Sequence, residues 1–156
     1  MIKLTYYRRM VDSSLIFDSA VFRLGVLGAR WEERYTQSVA PTGVRPKHVA
    51  LLAAVHGGVA GSQVELAARM RLAPSVIVGL VDDLESLGAV SRTRDPSDRR
   101  RQLIAVTDIG RNLLDGARAS LARLDAELDS ELGTNADSFR TALAALAELA
   151  DLPVGK

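Results

Sequence analysis

Apolar residues recur at three- and four-residue steps along most of the chain, which is the period of helices with one apolar face. The first such segment follows Asp12 and is ended by Pro41 and Gly43. A second helix is predicted from Arg45-Pro46 to Gly57, because proline suits a first helical turn. The apolar stripe of the first segment consists of Phe17, Val21, Leu24, Leu27, Trp31 and Tyr35.

Two shorter helices are predicted next. Ser62 and Glu65 have the spacing of a capping box, so a third helix begins there. A fourth begins at Pro74 and is ended by Gly88. The apolar side of this fourth helix is formed by Ile77, Leu80, Val81, Leu84 and Leu87.

The remaining pattern predicts two strands and two helices. The strands cover residues 89–94 and 101–106, separated by an Asp-Pro-Ser-Asp turn. Thr107 then caps a long helix that extends to Leu132, and a last helix carries Phe139, Leu143, Leu146 and Leu149. Two helices joined by a tight turn and followed by a β-ribbon form a winged helix-turn-helix. We therefore predict a mainly α (α+β) fold with a winged helix-turn-helix core and a two-stranded wing.

The middle of the chain resembles the MarR (multiple antibiotic resistance regulator) family of bacterial transcription factors. The wing pattern Asp-Pro-x-Asp-Arg-Arg stands at residues 95–100, and Thr-x-x-Gly-Arg follows at residues 107–111. The resemblance covers residues 45–114 closely. It implies one MarR-like domain over residues 1–156, with a DNA-binding lobe at 45–107 and N- and C-terminal dimerisation helices at 11–38 and 108–152.

Arginine is concentrated in the predicted wing, although the net charge of the 156-residue chain is only +1. Five of the 17 arginines fall within residues 92–101, and this window has a net charge of +3. We predict that Arg92, Arg94 and Arg99 contact DNA, since a narrow minor groove attracts arginine. The resemblance implies that Asp98 and Arg100 pair to stiffen the turn. The alternative is an ordinary solvated turn.

The fourth helix is the predicted recognition helix, and it carries no Lys or Arg between residues 74 and 89. Bidentate guanine readout by this helix is therefore excluded. Ser75 can bond a base edge or phosphate, Val78 can touch a thymine methyl, and Asp82 can accept from cytosine N4. The residues predicted to contact DNA from this helix and from the segment just before it are Arg69, Arg71, Ser75, Val76, Val78 and Gly79. Alternatively, the helix is a structural remnant with weakened DNA binding.

Enzymatic and membrane functions are disfavoured. The chain has no cysteine, no G-x-S-x-G nucleophile motif and no phosphate-binding loop. His48 and His56 are eight residues apart, too far to share a metal on one helix. We therefore predict no catalytic residue, metal or cofactor. No apolar run approaches the roughly 20 residues that span a bilayer, and a cytoplasmic location is expected.

The terminal helices have no place in a winged core, so a homodimer with two wings is expected on a palindromic site. The family resemblance implies a small aromatic or anionic effector between the dimer helices and the DNA-binding lobe. Candidate ligand-binding residues are Arg30, Trp31, Tyr35 and His48. We expect a repressor. The alternatives are a helical dimeric interaction protein with weakened DNA binding, or a small enzyme.

Overall fold

The computed structural model describes residues 16–58, 61–94 and 102–149. Within these ranges, helices and one hairpin follow one another as the apolar pattern predicts. The helices are α1 (Ala20–Val39), α2 (Pro46–His56), α3 (Gln63–Met70), α4 (Pro74–Ser86), α5 (Asp108–Leu132) and α6 (Ala136–Leu149). The strands are β1 (Val90–Arg94) and β2 (Gln102–Val106), and 3-10 turns cover Ala40–Thr42 and Gly133–Asn135. The predicted mainly helical fold is confirmed.

Local capping determines where several helices begin. The predicted box is present at α3, where Glu65 N–H donates to Ser62 Oγ (3.3 Å) and Ser62 N–H donates to Glu65 Oε2 (3.1 Å). Thr107 Oγ1 accepts from Gly110 N–H (3.1 Å) at the start of α5 and itself donates to the Gly88 carbonyl (2.6 Å). These bonds satisfy backbone groups that a helix start leaves without an intrahelical partner.

The hairpin is antiparallel, with Val90 opposite Val106 and Arg94 opposite Gln102. It is anchored to the start of α3, because Ile104 N–H donates to the Gly61 carbonyl (2.9 Å). Its base is anchored to the opening of α5, where Thr107 N–H donates to the Ala89 carbonyl (3.1 Å). The wing strands are therefore a fixed part of the helical core.

One hydrophobic core joins α2, α3, α4, the hairpin and the first half of α5. Its largest fully buried side chains are Leu51, Leu52, Leu66, Ile77, Leu84, Val39 and Val81. Leu114 and Ala117 of α5 close the core on one side. Burial of this apolar surface is the main driving force for folding of the lobe.

The terminal helices contribute little to that core. Val39 is the buried residue of α1, and α6 has none among the residues that the structure describes. Apolar side chains on both helices face solvent, including Val21 at 81% and Leu149 at 85% exposure. Arg140 of α6 holds this helix to α5 through Asp129, with Nη2 and Oδ2 2.8 Å apart. A single chain therefore leaves an apolar surface uncovered at α1 and α6.

Candidate nucleic-acid interface

Helix α4 occupies the position of a recognition helix. Helix α3 ends at Met70 and is followed by the C-cap residue Arg71, which adopts a left-handed backbone conformation (φ 52°); Pro74 begins α4 three residues later. One side of α4 buries Ile77, Leu80, Val81 and Leu84. The residues predicted to contact bases lie on its exposed side; they are Ser75, Val76, Val78 and Gly79.

Arg92 of β1 binds the recognition helix. Its two terminal nitrogens donate to Glu85 and Asp82, and its side chain is only 20% exposed. The hydrogen bond with Asp82 is the main reason why the pKa of Arg92 is raised. These two pairs fix the wing strand to α4. A DNA contact by Arg92 stays a prediction. In such a contact, the guanidinium would bind DNA and keep its hydrogen bonds to Asp82 and Glu85 at the same time.

The other predicted DNA-contacting arginines that the structure describes are exposed. Arg94 lies at the end of β1, and Arg69 and Arg71 lie at the end of α3, next to the turn that leads into α4. All three therefore border the recognition helix or the wing. Arg99 and the predicted Asp98–Arg100 pair lie outside the described residues, so their roles stay predictions.

A second arginine reaches α4 from the opposite side. Arg45 Nη2 donates to Asp83 Oδ2 (2.7 Å), and His48 Nε2 lies 3.1 Å from the same oxygen. Arg45 N–H donates to His48 Nδ1 (3.0 Å), so a neutral His48 carries its proton on Nε2 and donates to Asp83. The His48 side chain is 4% exposed, and this burial lowers its pKa against the opposing hydrogen bond to Asp83. The cluster joins the start of α2 to α4.

A cleft of about 430 Å³ lies beside this cluster, between α1, the start of α2 and α4. Arg45 and Lys47 give its wall two cations, and Glu32 and Asp83 give it two carboxylates. Its lining consists of Glu32, Thr36, Arg45, Pro46, Lys47, Ser75, Val76, Gly79, Leu80 and Asp83. Arg45 and Asp83 are not among the site residues predicted from the sequence, although a cation at the start of α2 is visible there.

The four predicted ligand residues do not come together in this cleft. His48 reaches it only through Arg45 and Asp83. Trp31 lies under the guanidinium of Arg34, 4.2 Å from the ring centroid. Tyr35 packs against the core, and burial raises its pKa, while Arg30 is exposed. Ligand binding by these residues stays a prediction.

Arg34 joins the side of α1 that carries Trp31 to helix α5. Its guanidinium stacks on Trp31 and also pairs with Glu127 and, at 3.7 Å, with Glu131 of α5. Cation–π stacking and ion pairing together hold α1 against α5. Trp31 therefore has a structural role between two helices.

Two further features bear on function. Within residues 16–58, 61–94 and 102–149, no group of three or more acidic, histidine or cysteine side chains is placed to hold a metal. None of the helices in these ranges is both long and apolar enough to cross a membrane.

Known proteins are similar to this chain in sequence and architecture. The MarR family model matches residues 51–101. The HTH-type transcriptional repressor MdtR of Bacillus subtilis (strain 168) is 32% identical over 89% of this chain and 92% of its own. CouR from Rhodococcus jostii RHA1, solved with p-coumaroyl-CoA, is 34% identical over 90% of this chain and 98% of its own, with a TM-score of 0.74. A repressor CouR bound to a 23-mer DNA duplex is 29% identical over 85% of this chain and 94% of its own, also with a TM-score of 0.74.

Proposed function

Because the chain belongs to the MarR family of transcriptional regulators, we propose that it represses transcription as a cytoplasmic homodimer bound to a palindromic DNA operator. MarR regulators are DNA-binding proteins and not enzymes, and the same holds for this chain. The observation that carries the proposal is the exposed recognition helix α4, which Arg92 joins to the wing strand. The relative CouR, which has the same architecture, binds a DNA duplex.

The uncovered apolar surface of α1 and α6 supports the homodimer. Phe17, Val21 and Leu24 of the N-terminal segment and Leu146 and Leu149 of α6 are all exposed. So many large apolar side chains exposed on two helices are unusual on a monomer, and we infer that a second copy related by a two-fold axis covers them. The same symmetry presents two α4 helices to successive major grooves, about 34 Å apart.

Truncation tests the location of the dimer interface. Deleting residues 137–156 removes most of α6 and exposes the leucines of α5. We expect sedimentation to show monomer or aggregate where the full chain sediments as a dimer. An unchanged, well-behaved dimer would place the interface elsewhere.

We propose that a small anionic ligand in the cleft releases the operator. Its anion would compete with Asp83 for Arg45, which otherwise joins the start of α2 to α4 at 2.7 Å. Loss of this pair would leave His48 as the remaining partner of Asp83 from α2 and would loosen the contact between α2 and the recognition helix. The relative CouR binds p-coumaroyl-CoA, which supports a small-molecule ligand for this chain as well.

Selection of genomic fragments by the purified protein at moderate salt tests operator binding. We expect enrichment of one palindromic sequence. Arg94→Ala should weaken binding to that site and lower the salt dependence by about one released counterion per lost phosphate contact. Arg118→Ala is the control, because Arg118 is also exposed and pairs with Asp115 within α5.

A second candidate is a dimeric interaction protein with weakened DNA binding. It is favoured by the composition of α4, which has three carboxylates and no cation. The selection distinguishes the two: an intact dimer that enriches no site contradicts the repressor and supports this alternative.

A further inference from the structure

The outward face of α4 carries small and polar side chains, with a valine at its edge. With 100° between successive residues, Ser75, Gly79 and Asp82 lie opposite the buried Ile77 and Leu84. Val78 is 41% exposed and flanks this face on the side that Arg92 contacts. Val76 lies on the other flank and lines the cleft. Outside the cleft, Val78 is therefore the exposed apolar side chain that α4 offers to a ligand.

The carboxylates of this helix are already engaged. Asp82 and Glu85 accept from Arg92, and Asp83 accepts from Arg45. A carboxylate held in this way is a poor acceptor for cytosine N4, and no cation of α4 is present to read guanine. Readout of G·C pairs by the charged side chains of α4 is therefore disfavoured, and Ser75 is left as a polar side chain that can bond a base edge.

Gly79 allows the backbone of α4 to come close to its ligand. A Cβ added at Gly79 would meet no atom of the described structure within 4 Å, so packing does not require glycine there. Glycine in a helix interior costs up to about 1 kcal/mol in helix stability. Gly79 lines the cleft together with Ser75 and Val76, and the missing side chain lets the backbone of α4 approach a DNA duplex closely.

We propose that Val78 reads thymine in each half-site, through van der Waals contact between its methyl groups and the thymine C5-methyl. This group is the apolar feature of the major groove, and it distinguishes T·A pairs from all others. The inference rests on the proposed operator binding and adds the base that the helix selects. Val78 is thus a specificity-determining residue, while the arginines outside α4 supply attraction to the phosphates.

Replacing thymine by deoxyuridine tests this contact, because the exchange removes one methyl and keeps every hydrogen-bonding group. The probe is the duplex returned by the genomic selection, with each thymine of both half-sites replaced in turn. We expect one position at which the dissociation constant, measured by fluorescence anisotropy, rises about fourfold per methyl and roughly 15-fold for both half-sites. Val78→Ala should bind the thymine and deoxyuridine duplexes equally well.

Two controls make the result specific. Alanine favours helix more than valine does, so Val78→Ala should fold and dimerise normally. Val64 is an exposed valine on α3, and Val64→Ala should retain the full methyl effect.

Equal binding of every deoxyuridine duplex by the unmodified protein would overturn the inference, and so would a Val78→Ala variant that keeps the full discrimination. Both results leave operator binding intact. Failure to enrich any site, in contrast, would remove the proposed function and this inference together.

Discussion

Gly110 is the position at which a single methyl group should disturb the fold most. A Cβ there would lie well inside contact distance of the Ala89 carbonyl oxygen and 2.7 Å from Val106 Cγ1. Neither neighbour can move freely, because Ala89 C=O accepts from Thr107 N–H and both residues belong to the base of the hairpin. In Gly110→Ala, the start of α5 must therefore shift away from the hairpin.

The size of the effect follows from two opposing contributions. Overpacking of a tight site costs up to about 3 kcal/mol. Replacement of glycine by alanine inside a helix returns about 1 kcal/mol. We expect a net loss of about 2 kcal/mol in the free energy of unfolding, or roughly 4–8 °C in Tm for a chain of this length.

Gly116 provides the matched control on the same helix. A Cβ at Gly116 would meet nothing within 4 Å, so Gly116→Ala should gain about 0.5–1 kcal/mol. Urea denaturation followed by circular dichroism measures both variants, at one fixed protein concentration because dimerisation contributes to apparent stability. Equal stability of the two variants would refute the steric argument for Gly110.

Three further outcomes are expected. Arg92→Ala should lose about 1–2 kcal/mol in the free energy of unfolding, since it removes two half-exposed ion pairs and the packing of a mostly buried side chain. Thermal melts of Arg92→Ala and Asp82→Asn would measure the loss. Asp98→Ala should weaken DNA binding if it holds Arg100, although the change makes the wing more positive; tighter binding in anisotropy titrations would show that charge alone matters. Burial lowers the pKa of His48, so the stability that neutral His48 contributes is present above its unfolded pKa of about 6.5 and is lost as pH falls through the lower folded pKa. In urea titrations from pH 7 to 5, the free energy of unfolding of His48→Gln should therefore decline less than that of the unmodified protein.

The elements of the fold were predictable because their signals are local. The Ser62–Glu65 box, Thr107 and the proline at residue 46 each specify a helix start within one turn of the chain. The face of α4 was predictable as well, since the spacing of Ile77, Leu80 and Leu84 places Val78 on the exposed side of the helix.

The partners of Arg45 and Arg92 were not predictable from spacing. Arg45 and Asp83 are 38 residues apart, and their contact depends on how α2 crosses α4. The same limit affected the cleft: Glu32 and Thr36 line it, whereas the predicted Trp31 and Tyr35 lie one residue away and hence about 100° around the helix. A sequence period identifies the apolar face of a helix but does not say which neighbour covers each edge.

The two arginines that bind α4 from other parts of the fold have a consequence for how the DNA specificity of such a regulator can evolve. Arg45 and Arg92 belong to α2 and β1, and each neutralises carboxylates of a helix that has no cation of its own. Under the proposed mode of binding, the outward residues Ser75, Val78 and Gly79 make neither ion pairs nor core contacts, so exchanges among them can redirect the protein to another operator. The scaffold and its attraction to phosphate would be inherited unchanged, and a duplicated copy of the chain could acquire a new target by substitutions on one helix face.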